Sequence, residues 1–391
     1  MTISSLALVD STLREGEQFA LAHFTTAQKL HIAEMLDDFG IDYVEMTSPI
    51  SSPQAEADLR AVAATSRRFR LLAHTRCRLD DVRHAVDAGV DGVNVLLGTS
   101  PLLQRHSHGQ SIDQIVESAV EVVTWLQERG IEVRFSCEDA FRSNLDDILR
   151  IYSALDGLGI DRIGIADTVG IATPNDVTET VTAVRAAVGC DIEFHGHNDT
   201  DCAVANALAA LEAGATHIDV TILGIGERNG IAPLAGMVAR MATVGPQLLE
   251  RYRTDLLPRL DNEVAAMVGV AVPFNAAITA PTAFSHKAGI HTASVLRNPA
   301  TYEVLDPARF GRRREVLLGH RLTGRHSLRQ RASELGLVLT DIQLHEVAAE
   351  VRTRAGRRPL RSDEVDALIQ QTALGFLVPV NAMVAHAGGH V

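Results

Sequence analysis

Two periodicities alternate along the first two thirds of the chain. Short apolar runs at 6–12, 43–46, 70–75, 92–98, 132–137, 162–168, 191–197 and 217–225 have the length and composition of strands. Between them lie longer stretches with apolar residues three and four apart, the spacing of a helix with one buried face. In the first, Leu30, Ile32, Ala33 and Leu36 form a stripe over 27–39, with Thr26 placed as the cap and Gly40 as the stop. Further helices are predicted at 53–64, at a segment ending on Gly89, and at 111–129, 144–157, 174–187, 202–213 and 234–250.

Eight strand-then-helix units within about 250 residues predict an α/β fold, a (β/α)8 barrel spanning residues 1–255. A doubly wound open sheet competes, but it needs a glycine-rich turn after the first strand. Here that turn reads Leu13-Arg14-Glu15-Gly16-Glu17-Gln18, too bulky to approach a pyrophosphate. Residues 256–320 carry scattered Pro, Gly and Phe with little periodicity, the expectation for a linker or a functional segment. A small helical domain is expected over 321–391, with helices at 324–336, 341–355 and 362–372 and a loose Gly- and His-containing tail at 385–391.

Composition narrows the function classes. A net charge of −13 without a dense basic run argues against a nucleic-acid partner. No apolar stretch approaches a bilayer span, and the first residues lack a basic segment followed by an apolar one, so a soluble, cytoplasmic protein without a membrane partner is expected. Cys77, Cys137, Cys190 and Cys202 show no CxxC spacing and fit reduced thiols. Only Lys29 and Lys287 are lysines among the 36 Lys and Arg residues, a skew that points to a GC-rich genome.

The chemistry gathers where the strands end, the face from which a barrel's βα loops radiate. Successive strand side chains alternate, so His195 and His197 project from one face and offer half of a metal site. Other strand ends bring Asp10, Arg14, Glu15, Glu45, His74, Asn94, Arg134, Ser136 and Thr168. Each alone has an ordinary explanation as a cap, a buried ion pair or a core histidine; their concentration at one end favours a functional cluster. Arginine beside a metal site suits an anionic substrate, since its fork matches a carboxylate. The loop 224–230 lacks the G-x-G-x-x-G spacing of a dinucleotide site.

The stretches Asp10-Ser11-Thr12-Leu13-Arg14-Glu15-Gly16-Glu17-Gln18, His195-Gly196-His197-Asn198-Asp199 and 224–230 resemble the metal-dependent barrel acyltransferases and lyases with a DRE motif. Among these the chain is most similar to the homocitrate synthases, with Glu45-Met46-Thr47-Ser48-Pro49 and Phe284-Ser285-His286-Lys287-Ala288-Gly289-Ile290-His291 in support. The resemblance implies condensation of acetyl-CoA with a 2-oxo acid, most simply 2-oxoglutarate. It implies a divalent ion (Mg2+, Mn2+ or Zn2+) on Glu15, His195 and His197, with Asp10 as a further ligand or a supporting neighbour. Arg14, Ser136 and Thr168 would hold the proximal carboxylate, and Arg134 and His74 the distal acidic group. Glu45, His291 and Tyr302 match the acid–base group, and the resemblance makes residues 256–320 a linker and active-site lid that would reach over a partner subunit's barrel in a homodimer.

Two features bear on the substrate. His74 stands where isopropylmalate synthases carry a smaller apolar residue, and the long regulatory domain common in those enzymes is not expected here. Asn94 stands where many lysine-pathway members carry Asp, which removes the expected partner for lysine as inhibitor. The loss of that charge also admits phosphonopyruvate, giving 2-phosphonomethylmalate, as an alternative.

Overall fold

In the computed structural model, which describes residues 3–375, the expected eight strands close into a parallel barrel: β1 Ala7–Asp10, β2 Tyr43–Met46, β3 Arg70–Arg76, β4 Gly92–Gly98, β5 Glu132–Glu138, β6 Arg162–Asp167, β7 Asp191–Gly196 and β8 His217–Val220. Strand order follows the chain, and β1 pairs with β8 to complete the ring. The apolar core lies between the strands and the surrounding helices, with Leu8, Val44, Val93, Val133, Ile163 and Ile192 fully buried.

Local chemistry places the elements. The cap of helix Thr26–Phe39 is Thr25 rather than Thr26: its hydroxyl accepts from the Gln28 N–H while the Gln28 side chain accepts from the Thr25 N–H. Thr26 instead donates to Asp58. The last strand stops at Val220, short of the expected 225, because the chain turns at once, with Leu223 at φ 63°. Helix Leu234–Val244 ends at Gly245-Pro246, where proline cannot continue it, so 245–250 leaves the expected helix.

Within the stretch expected to be irregular, Leu257–Val268 is a helix that buries Leu257, Leu260, Val264 and Val268. Pro258 reads as a breaker in sequence but sits in the first turn, where its missing N–H costs nothing. This helix carries the buried Asp261, whose carboxylate accepts the Leu223 N–H at 3.3 Å. The chain divides into two compact units at Pro281/Thr282.

The second unit holds the short parallel pair β9 (Ser285–His286) and β10 (Glu315–Val316), helix Gly289–Val295, and the expected three helices at Arg325–Glu334, Asp341–Ala355 and Ser362–Ala373. These helices share a core of Leu328, Leu344, Val347, Val351, Leu368 and Ile369. The tail at 385–391 lies outside the described residues. No helix among the described residues is long and apolar enough to cross a membrane.

The barrel interior departs from the usual layers of branched aliphatic side chains. Partners on non-adjacent strands meet across it: Glu45 on β2 with Asn94 on β4, and Arg134 on β5 with Glu193 on β7. All four are essentially unexposed. Burying charge is costly unless it is paired, so this interior is organised by ionic contacts, not by side-chain volume.

Candidate active site

Glu15, His195 and His197 each offer a ligand atom, and these atoms lie within 4.8 Å of one another in a buried cluster. Two strand ends supply them, those of β1 and β7. Glu15 follows β1, and its carboxylate is aimed by two donors: Arg14 Nη1 to Oε2 at 2.6 Å and the Glu227 N–H to Oε1 at 2.7 Å. A Cβ on Gly226 would stand 2.6 Å from Glu15 Oε1, so only glycine lets the loop after β8 close over this carboxylate. That loop, set aside as a dinucleotide site, thus braces the cluster. Gly230, at φ +69°, would place a Cβ 1.8 Å from the Gly224 carbonyl oxygen, which makes glycine obligatory there too.

The imidazoles suit a cation. Nδ1 of His195 contacts Asp219 Oδ2 at 2.9 Å, which fixes the proton on that nitrogen and leaves Nε2 free to ligate. His197 Nε2 lies 4.0 Å from Glu15 Oε1, and its buried Nδ1 has no hydrogen-bond partner. Burial first, then positive and imidazole neighbours, lowers both imidazoles to about 4, so both are neutral at pH 7. Two neutral imidazoles and one carboxylate form the open three-ligand set of a catalytic divalent-metal site. Asp10 is not in that cluster. Burial pushes it up to about 7, Oδ1 accepts the Thr12 N–H, and Oδ2 is buried without a partner.

Around the cluster lies a cavity of about 350 Å³ lined by Arg14, His74, Arg134, Ser136 and Thr168, among others. The structure therefore brings five of the six expected substrate-facing residues to one pocket, Asn94 being the exception. The Ser136 hydroxyl donates to the Gly164 carbonyl at 3.1 Å, and the Thr168 hydroxyl accepts the Asp139 N–H at 2.8 Å. Arg134 Nε is paired to Glu193 at 2.7 Å, while its Nη1 is buried without a partner. A second cavity of about 530 Å³ shares Arg14, Gln18 and His74 with the first and is walled by Thr47, Ser48 and Gln54.

Glu45 and Asn94 lie outside both sets of lining residues. Glu45 is fully buried and receives Ser11, Arg14, His74 and Asn94, at 2.9, 2.7, 3.0 and 2.6 Å. Burial opposes its charge, yet Arg14 and His74 hold the carboxyl well below its usual value. The Asn94 amide orientation follows: its NH2 must face Glu45, which leaves Oδ1 buried and unpartnered.

A different carboxyl, Glu138 at the end of β5, lines the catalytic cavity, and burial and Asp139 raise it. Its position as last residue of a strand, two beyond Ser136, was the available sequence signal. In the second unit, His291 and Tyr302 are exposed and face each other with ring centroids 4.3 Å apart.

Comparison with known proteins agrees with this geometry. Residues 5–264 match the HMGL-like family, and residues 278–359 match the homocitrate synthase post-HMGL domain-like family. The chain is 50% identical to the mitochondrial homocitrate synthase of Penicillium rubens over 94% of its own length and 78% of the relative's. It is 48% identical to that of Saccharomyces cerevisiae, over 97% and 87%. Among solved structures, the HMG-CoA lyase of Pseudomonas aeruginosa superposes with a TM-score of 0.61 at 20% identity, covering 70% of this chain and 96% of the lyase, a likeness of fold. By sequence over nearly its whole length, the chain belongs to the homocitrate synthase family of acyl-CoA-dependent condensing transferases, enzymes that use acetyl-CoA and a divalent metal.

Proposed function

We propose that the chain condenses acetyl-CoA with 2-oxoglutarate and hydrolyses the product thioester, giving homocitrate and CoA. The carrying observation is a two-imidazole, one-carboxylate cluster that shares one pocket with Arg14, His74 and Arg134. Bound at Glu15, His195 and His197, a divalent cation supplies Lewis acidity toward the keto group and its neighbouring carboxylate. Arg14, beside Ser136 and Thr168, takes the proximal carboxylate. Arg134 Nη1 and His74 take the distal one.

A carboxylate in the cavity removes a proton from the thioester methyl; the resulting carbanion forms the new bond to the keto carbon as the C=O π bond breaks, and the former keto oxygen takes up a proton. Water then cleaves the thioester and CoA leaves as the thiol. We assign the cavity-facing carboxylate to Glu138, which burial and Asp139 make a stronger base than an ordinary glutamate. Glu45 is a poor base while four donors hold it, and serves instead to set Arg14 and His74. His291 and Tyr302 complete the acid–base group, carried by a lid over a partner subunit in a homodimer. The larger cavity, rich in hydroxyl and amide groups, suits the neutral pantetheine arm of acetyl-CoA. A cytoplasmic setting belongs to the same reading, and the four cysteines are free thiols.

One observation favours a second substrate. Asn94 is a neutral amide in register with His74 and Arg134, so no extra carboxylate at this position opposes a more anionic distal group in the neighbouring cavity. This supports phosphonopyruvate as the alternative 2-oxo acid. The deciding experiment is thiol release from acetyl-CoA with 2-oxoglutarate, phosphonopyruvate and branched 2-oxo acids. A kcat/KM highest for 2-oxoglutarate upholds the first reading, and preference for phosphonopyruvate replaces it with the second.

A further inference from the structure

A series of ion pairs runs from Arg134 through the barrel interior, and its members beyond Arg134 have no part in the reaction as described. Arg134 Nε pairs with Glu193 Oε1 at 2.7 Å, and Glu193 Oε2 with Arg162 Nε at 2.7 Å. Arg162 Nη1 pairs in turn with Glu132 Oε1 at 2.7 Å, and Glu132 Oε2 with Arg70 Nη1 at 2.6 Å. Charges alternate along the whole series. Only its outer member, Arg70, reaches solvent.

From this arrangement we infer that Arg162, at the start of β6, is a positioning residue for substrate: through Glu193 it fixes the Arg134 guanidinium and thereby sets discrimination for the distal acidic group. The inference rests on the reading of Arg134 given above. Among the described residues Glu193 is the only carboxylate within 3 Å of Arg134, and Arg162 occupies its second oxygen. With Arg162 in place, Glu193 cannot turn to take Nε and Nη2 of Arg134 together, so the guanidinium keeps its present plane, with Nη1 unpartnered. Arg162 is itself held, by Glu132 and by the Tyr43 ring 4.7 Å from its Cζ. Gly164 completes the seat: a Cβ there would stand 2.5 Å from Arg134 Nε, so the missing side chain is what lets the guanidinium lie across β6.

The test compares Arg162→Gln and Arg162→Lys with wild type on 2-oxoglutarate and on 2-oxobutanoate, which lacks the distal acid. Arg162→Gln is expected to lower kcat/KM for 2-oxoglutarate about 10- to 100-fold, mainly through KM, because small misplacements of a binding group cost that much. The values for 2-oxobutanoate and the KM for acetyl-CoA stay within about twofold. Arg162→Lys keeps a cation on Glu193 but loses the fork, so it gives an intermediate loss, and it carries the test if the Gln variant does not fold. A folded variant with an unchanged ratio between the two acids, or an equal loss on both, overturns the inference. Arg134→Gln is run in parallel. If it leaves the ratio intact, the reading of Arg134 has failed; if it alone collapses the ratio, only the positioning role has.

Discussion

The barrel mouth and the segment after Pro281 both carry candidate catalytic groups, and they hold them in opposite ways. Glu15, His195 and Arg14 are buried, and each is gripped by side chains or backbone from other strand ends. His291 and Tyr302 are exposed, with one close aromatic neighbour each. Electrostatic groups work best when their orientation is fixed before substrate arrives. Groups that move a proton and must also admit a large thioester are better placed on a segment that can close. On the proposed function, the contrast matches binding and polarisation by the barrel groups and proton transfer by His291 and Tyr302.

The largest effect expected from breaking this division lies at the cluster. His195→Ala should lower turnover by about three orders of magnitude or more, since several kcal/mol of charge stabilisation depend on it. Next, Glu138→Gln should cost about 10²- to 10⁴-fold in kcat, as loss of a general base does, with the KM for the 2-oxo acid little changed. Glu45→Gln should instead raise that KM, because it releases Arg14 and His74. Equal behaviour of the two variants would remove the distinction between base and anchor. Tyr302→Phe and His291→Ala should each lower kcat about 10²-fold while metal content stays at the wild-type level. Asp219→Asn, which loosens His195 from behind, should weaken metal affinity about 10- to 100-fold.

The smallest effect concerns stability where the loop after β8 meets helix Leu257–Val268. Burial pushes Asp261 up to about 6, above its usual 3.8. Between those values the folded chain keeps a proton that the unfolded chain has released, so this group's contribution to stability is greatest below about pH 4 and falls as pH rises to about 6. Asp261→Asn should remove a slope worth on the order of 2–3 kcal/mol. Melting curves from pH 4 to 7 check it: the variant should gain on the wild type as pH rises, and a constant difference would refute the assignment.

Much of this was legible in sequence because it rests on local periodicity. The eight strands, the helices between them and the three helices of the second unit follow from apolar spacing and capping residues. The cluster was legible too, because strand alternation put His195 and His197 on one face and the β1 turn offered Glu15. What escaped depends on partners distant in sequence. Glu45 reads as an acid–base group by motif, and only the barrel's closure shows four donors converging on it. Arg162 and Glu193 look like ordinary strand residues until the interior brings them together. Helix Leu257–Val268 was hidden by Pro258, whose cost depends on which turn of the helix it occupies.

The most direct measurement is calorimetric titration of chelator-treated protein with Mn2+, on wild type, Glu15→Gln and His195→Ala, with circular dichroism confirming the fold of each. One ion per wild-type chain, and loss of most of that affinity in both variants, is the result the account predicts. Undiminished binding in the folded variants would contradict it.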